Sequence, residues 1–461
     1  MLTYSDLEKC GDNEQERIDF ITQAITDFKS SDNYKIADKA MKYYKGENPE
    51  IAAVEKIIYD MQGAAHKDII SPNNKIRNGY FPLIIDEAVS HLLTNGISFS
   101  NPKNKDKLGK DFDDVTKRIY CEALICGCSY GYFNGEKTIK LPYLQTIQII
   151  DDYSGALRAC IFFSQINYDK PLMVTLYEKD GFTEYVQENG KTMEIKANKK
   201  PYSYSVLSNI AEGDYYQWTE EQISDLPIIP MYAPKKQSMI IGSLDILVAL
   251  DLMASQLVNN VSQSELVYWV LKNYGGMDDI ADANFIVNLI KTHIIHVNDD
   301  GSAEPHQIQV PFEANNAAFA RLKAQLFENM RGVNHEVMDA GNLTATAINS
   351  AYSRLRNFSG LAESDVFDYV RGIERLANID EDEVFTVEYN ETINATEAIQ
   401  NTIASAQWLG EQATTEKLVM LNGLGDKLEE IQKQKAAEQL AQFQLLAAQN
   451  NAQGGSEPLP V

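Results

Sequence analysis

Basic residues are in short supply: 41 Lys and Arg stand against 66 Asp and Glu, a formal net charge of -25. Tight binding to nucleic acid draws its affinity from cations that displace counterions from phosphates, so this chain repels a polyanion overall. Cysteine is scarce too. The five present (Cys10, Cys121, Cys126, Cys128, Cys160) are odd in number and scattered, which excludes a disulfide framework and points to a reducing, intracellular folding environment. The N-terminal stretch has neither a basic region nor an apolar run of signal-peptide type. The longest apolar runs, such as Leu244 to Met253, are interrupted by aspartate and fall short of the ~20 residues that cross a bilayer, so no membrane contact is expected.

The common catalytic signatures are missing: no GxxxxGK[ST] phosphate loop, no GxGxxG after a strand, no GxSxG elbow and no HExxH. Cys121, Cys126 and Cys128 lack a second ligand half at finger-like spacing and read as buried structural thiols. His293 and His296 fall in a strand-like run, where three-residue spacing sends the rings to opposite faces. The acid-rich runs Asp278-Asp279, Asp299-Asp300 and Asp380 to Glu383 lack a calcium-loop pattern and read as solvated turns or helix starts. Trp218 and Trp269 have no interleaved basic residues, which favours packing over base stacking. No catalytic, cofactor-binding or metal-binding residue is assigned, and no cofactor is expected.

What is present is an ordinary globular composition, 44% apolar and 23% charged over 461 residues, enough for two to four domains. Residues 14 to 62 carry a helical pattern, with Ile18, Ile21, Ile25 and Phe28 three or four apart and Gly46 closing a helix. A second run from Gly79 to Leu93 aligns Phe81, Ile84, Ile85, Ala88 and Leu92. Beyond Lys137 the period becomes alternating, in Thr138 to Ile150, Leu157 to Phe163, Met173 to Glu178, Thr183 to Gln187 and Met193 to Lys196. Asp180-Gly181 and Asn189-Gly190 supply hairpin turns, so an antiparallel sheet is expected. The prolines of Leu226 to Pro230 predict a linker rather than a central strand.

Two long amphipathic helices follow. From Gly242 to Ser264 the stripe is Ile246, Leu250, Met253, Leu257 and Val261, with Asp245, Ser255, Asn259 and Asn260 off it. From Asn315 to Val337 it is Phe319, Leu322, Leu326, Met330, Val333 and Val337. Between them lies a small α/β insertion with strands at Leu266 to Leu271, His293 to Val297 and His306 to Val310 and a helix at Ile280 to Ile290. Paired helices are commonly joined by short loops, so this insertion suggests a projecting architecture. A small, polar stretch from Met338 precedes a helix from about Ala347 or Ser350 to Ala377, then a short strand, Glu383 to Tyr389, and three helices, the last opened by a capping box at Asp426. From Asp380 onward 14 acidic residues face 4 basic ones.

In this order the segments resemble the portal proteins of long-tailed phages of Gram-positive bacteria. The residues that carry the likeness are Tyr43 to Gly46, Lys75 to Asn78 followed by Ile84 to Ala88, Glu122 to Gly127, Pro227 to Pro230, Ser243 to Asp245, Asn342 to Ala347 and Thr414 to Lys417. Such proteins often have Ser-Gly where this chain has Thr344-Ala345, which takes away the glycine's freedom at the loop-to-helix junction.

The resemblance implies an α+β, mainly helical portal fold with wing, stem, clip and crown regions in a closed ring, usually a dodecamer. On that plan residues 1–239 are wing, 240–264 the first stem helix, 265–314 the clip, 315–337 the second stem helix and 338–349 a tunnel loop. Residues 350–389 return to the wing, 390–449 are crown helices and 450–461 a disordered tail. It implies a non-enzymatic virion protein at the portal vertex of the capsid, assembled in the host cytoplasm. The partners implied are further copies of the chain, the large terminase ATPase, a head-completion adaptor, capsid and scaffold proteins, and double-stranded DNA passing non-specifically. Asn342, Thr344, Thr346 and Asn349 are the candidate DNA-facing residues. The competing readings are another ring-forming head-tail or baseplate component, and an acidic enzyme using a pair such as Asp151-Asp152 or Asp278-Asp279.

Overall fold

A computed structural model describes residues 2–59, 63–69, 71–209, 216–264, 267–272, 302–307, 312–334, 345–379, 383–390, 395–421 and, within 427–437, all but 429 and 436. The chain divides into two units, Met1–Asn334 with Arg354–Asn390, and His335–Ser353 with Glu391–Val461.

The first unit begins with helices whose ends are set by their own side chains. Asn13 accepts from the main-chain N–H groups of Gln15 and Glu16 to start Glu14–Ser30. Ser31 then closes that helix and caps the next, Asp32–Tyr44, by accepting from Tyr34 N at 3.2 Å. Phe20, Ile21, Ala24, Ile25 and Phe28 are buried against Ile147, Ile149, Ile161, Phe163, Val174 and Leu176. Those belong to a five-stranded antiparallel meander whose spatial order is Glu194–Lys200, Gly181–Gln187, Leu172–Glu178, Leu157–Ser164 and Thr146–Ile150. Alternate residues face the helices, so the period-two pattern is a covered sheet face.

Three sequence expectations are corrected here. The alternating run Thr138 to Ile150 is two strands, Thr138–Leu141 and Thr146–Ile150, in different sheets, because Pro142 and a short 3-10 turn break it. The helical pattern does not continue to Gln62: the last helix is Pro49–Ala53, and Ile57–Tyr59 pairs with Ala65–Lys67 as a hairpin. Leu226 to Pro230 is not merely a linker, since Ile228–Tyr232 is an edge strand of a three-stranded sheet with Cys128–Phe133 and Thr138–Leu141. Phe133 N donates to Pro227 O and Ala233 N to Gly127 O, which places Pro230 opposite Tyr130 in a non-hydrogen-bonded pair, where its missing N–H costs nothing.

Helix Phe112–Cys126 ends at Gly127, whose φ of 94° turns the chain directly into the strand from Cys128. The part of helix Ala345–Leu376 that belongs to this unit crosses this sheet where two glycines allow close approach. A side chain at Gly131 would collide with the Tyr369 hydroxyl, and one at Gly372 with Ile229. Phe367 meets Phe385 edge to face at 4.8 Å, and the short strand Phe385–Val387 pairs with Ile97–Phe99.

The long helices are Leu244–Ser264 and Phe312–Asn329, and they pack on each other. The second stops eight residues before the expected Val337, at a turn in which Arg331 takes φ 58° and Gly332 N bonds back to Phe327 O. Strands Val267–Lys272 and Ser302–Gln307 pair antiparallel between them. The second of these lies earlier than the expected His306 to Val310, and the expected helix at Ile280 to Ile290 and strand at His293 to Val297 lie outside the described residues. In the second unit, helices Ala395–Ala404, Ala406–Leu409 and Glu411–Leu421 are followed by a further helical stretch, from which Lys435 Nζ reaches Thr415 Oγ1 at 2.8 Å. The capping box at Asp426 lies outside the described residues.

Candidate functional site

Of the four loop residues singled out in the sequence, Asn342 and Thr344 lie outside the described residues. Thr346 and Asn349 fall in the first turns of helix Ala345–Leu376, so a loop reaching to Asn349 is corrected: the alanines at 345 and 347 favour helix.

The most developed polar arrangement among the described residues is on the long helix Leu244–Ser264. Its Asp251, Ser255 and Asn259 are only 3–5% exposed, whereas Val258 and Val261 are 39% and 42% exposed. The three buried polar groups stand four residues apart, about 6 Å of helix rise per step. They face an extended strap, residues 74–78, whose alternate main-chain N–H groups repeat at nearly the same spacing, about 6.6 Å. Asn74 N donates to Asn259 Oδ1 at 2.7 Å, Ile76 N to Ser255 Oγ at 2.9 Å and Asn78 N to Asp251 Oδ1 at 2.8 Å. The side-chain amides of Asn74 and Asn78 add second bonds to the same acceptors at 3.1 and 2.8 Å. The helix thus serves the strap as an adjacent strand would, with side-chain oxygens in place of carbonyls.

This ladder continues into the N-terminal helices. Asn48 Nδ2 donates to Asp251 Oδ2 at 2.5 Å, and Asn48 Oδ1 accepts from Ile51 N to cap Pro49–Ala53. The Tyr43 hydroxyl lies 2.9 Å from both Asn48 Oδ1 and Glu50 Oε2. Burial works against the Glu50 carboxylate, yet hydrogen bonds from Lys39 at 2.6 Å, its own main chain and Tyr43 hold it below the usual range. Tyr43 is pushed well above the ordinary tyrosine range by burial and by Glu50. The sequence pattern places Ser255 and Asn259 only off the apolar stripe; the signal that marks them, with Asp251, is a four-residue polar period along the helix. The expectation that no apolar run is long enough to cross a bilayer also needs correction. Leu244–Ser262 has the length and a mean hydropathy of 1.3. Its polar face, however, is bonded to this chain's own strap.

The residues considered for chemistry are otherwise engaged. Cys126, Cys128 and Cys160 are buried, and burial raises each thiol, Cys128 to about 12, which leaves them without thiolate character near neutral pH. No cluster of three metal-ligating side chains occurs among the described residues. Asp151 is held low by the main chain and hydroxyl of Ser154 and by Tyr153 N, and serves as a turn acceptor; Asp278-Asp279 lies outside the described residues. His91 Nδ1 stands 2.8 Å from Ser359 Oγ, with both residues buried, tying helix Tyr80–Leu93 to the helix carrying Ser359.

Among the described residues of the first unit, Glu374 is a strongly displaced carboxyl. It is 5% exposed, its Oε1 has no hydrogen-bond partner among the described residues, and burial, then Glu383, push it up to about 7 against the pull of Arg371. With Asp368, Arg371, Arg375 and Ile379 it lines a cleft of about 340 Å³.

Comparison with known proteins adds three findings. The sequence model described as "Phage portal protein, SPP1 Gp6-like" matches residues 27–440. A portal protein of Clostridium phage phiCD119 is 23% identical over 333 residues, which cover 66% of this chain and 71% of that relative. Among solved structures, the neck of a native gene transfer agent particle computed with C12 symmetry superposes with TM-score 0.39 at 10% identity, over 74% of this chain and 87% of the other. The neck of an empty particle computed with C6 symmetry gives 0.40 at 11% identity, over 84% and 93%.

Proposed function

Because this chain belongs to the phage portal protein family, SPP1 Gp6-like, we propose that it forms, with further copies of itself, a closed ring at one capsid vertex through which viral DNA is packaged and ejected. It is a structural virion protein and not an enzyme. The observation that carries the reading is the family match over residues 27–440. The paired helices Leu244–Ser264 and Phe312–Asn329, with the strands Val267–Lys272 and Ser302–Gln307 set between them, support assigning 240–264 and 315–337 to the stem and 265–314 to the clip. On the same plan 1–239 with 350–389 is wing and 390–449 crown.

The net charge of -25 suits a conduit. A wall of acidic and small polar groups holds a phosphate backbone off by weak repulsion, screened within about 8 Å at physiological ionic strength, so the duplex slides. Asn342, Thr344, Thr346 and Asn349 make transient contacts with it that carry no sequence information. The energy for translocation is supplied by a docked terminase ATPase, which a head-completion adaptor replaces after filling. The ring reading is tested by light scattering and electron microscopy of the purified full chain. A particle of about twelve copies with a central hole is the expected result for a closed cyclic assembly; a compact monomer or dimer at high concentration would overturn it.

A further inference from the structure

The hairpin of Ile57–Tyr59 and Ala65–Lys67 is poorly covered. Ile57 and Ile58 are 57% and 46% exposed although neighbours on a strand point to opposite faces, and Ile69 just beyond is 87% exposed. A two-stranded ribbon is at best marginally stable alone in water, and no third strand pairs with this one among the described residues. Asp68 N donates to Lys56 O at 2.9 Å, which makes Ile58 and His66 the hydrogen-bonded pair and turns the main-chain groups of Ile57 and Lys67 outward along the two edges. Lys67, the charge that would blunt such an edge, is matched by Glu55 at 2.5 Å.

The surface continues beyond the hairpin. Asn73 bonds to Val54 O at the hairpin's base, and Asn74 bonds to Asn259, beside which the long helix shows its exposed Val258 and Val261. The segment that joins them is basic: with Lys67 matched by Glu55, residues 68–79 still hold Lys75 and Arg77 against Asp68 alone, in a chain of net charge -25. A partner that is acidic on average and carries apolar groups fits it, and another copy of this chain is both.

We propose that this hairpin and strap are covered by a second copy of the chain, which pairs along the open hairpin edge and sets acidic side chains against Arg77. The inference rests on the ring reading and locates one of its contacts. It is tested on the full-length protein by hydrogen exchange and by solution mass. In the assembled particle the amides of residues 57–59 and 65–67 exchange at least tenfold more slowly than in the dissociated chain. The double variant Ile57→Asp/Ile58→Asp keeps the circular dichroism of the parent yet stays monomeric at ten times the concentration at which the parent assembles. A parent particle whose hairpin exchanges as fast as in the free chain overturns the proposal while leaving the ring standing, even if the variant fails to fold. So does a variant that assembles normally, and so does protection that appears only when double-stranded DNA is added. A parent chain that never assembles overturns the ring reading itself.

Discussion

At the scale of single residues, Glu374 makes stability depend on pH. Its carboxyl is raised from 4.5 to about 7 in the folded chain, first by burial and then by Glu383. A carboxyl raised by folding favours the folded state while protonated, and that contribution is lost as pH climbs from about 4.5 through about 7. Glu374→Gln, which keeps the shape of the protonated form, is therefore expected to match the parent at pH 4.5 and to melt higher at pH 8, on the order of 2 °C for a chain of this size. Thermal melts of both proteins across that range check it; parallel curves would remove Glu374 as the cause. Nothing in the sequence marks this residue, because a glutamate three positions from Arg371 on a helix reads as a solvated ion-paired group. Pro230 was misread for the same kind of reason: its acceptability depends on which pair of the ladder it occupies, and register is set by the partner strand.

At the scale of elements, helices and strands were legible wherever their period matched what they face. Helix Tyr80–Leu93 and the three central meander strands, Leu157–Ser164, Leu172–Glu178 and Gly181–Gln187, fall within two residues of their sequence limits, since each lays an apolar face on an apolar neighbour. The long helix Leu244–Ser264 was placed correctly but rotated wrongly in the reading. Of the expected stripe Leu250 is buried, while Ile246, Met253 and Leu257 are half-covered and Val261 is exposed, and the buried line runs through Leu247, Leu250, Asp251, Ser255 and Asn259. An apolar stripe predicts the buried face only when the neighbour is apolar, and here the neighbour is a main-chain strap that needs acceptors. Removing one should be costly. Asp251→Ala leaves Asn78 N, Asn78 Nδ2 and Asn48 Nδ2 without their acceptor, which is expected to lower stability by about 3 kcal/mol in urea unfolding. Val258→Ala, exposed on the same helix, should change it by less than about 0.5 kcal/mol. Equal effects of the two substitutions would show that the ladder contributes nothing.

At the scale of the whole molecule, the mixture of helix and antiparallel sheet was readable from changes of period along the chain, and the family from the order of short motifs. The candidate loop was less so, because small polar residues carry no periodicity, and the onset of helix at Ala345 depends on propensity alone. Replacing residues 338–344 with glycine and serine is expected to leave the mass of the assembled particle unchanged and to cut packaged DNA severalfold, read by nuclease protection in an infected-cell extract. Full packaging by that variant would exclude a role for the loop in transport. The strap on the long helix bears on how such a particle withstands load. Its three rungs lie across the helix axis, so a pull along that axis stretches all of them at once, in shear, where a peeling force would break them singly. Because the rungs repeat every four helical residues, a slip can come to rest only after a whole step, and the helix is therefore held as a toothed rod rather than a sliding one.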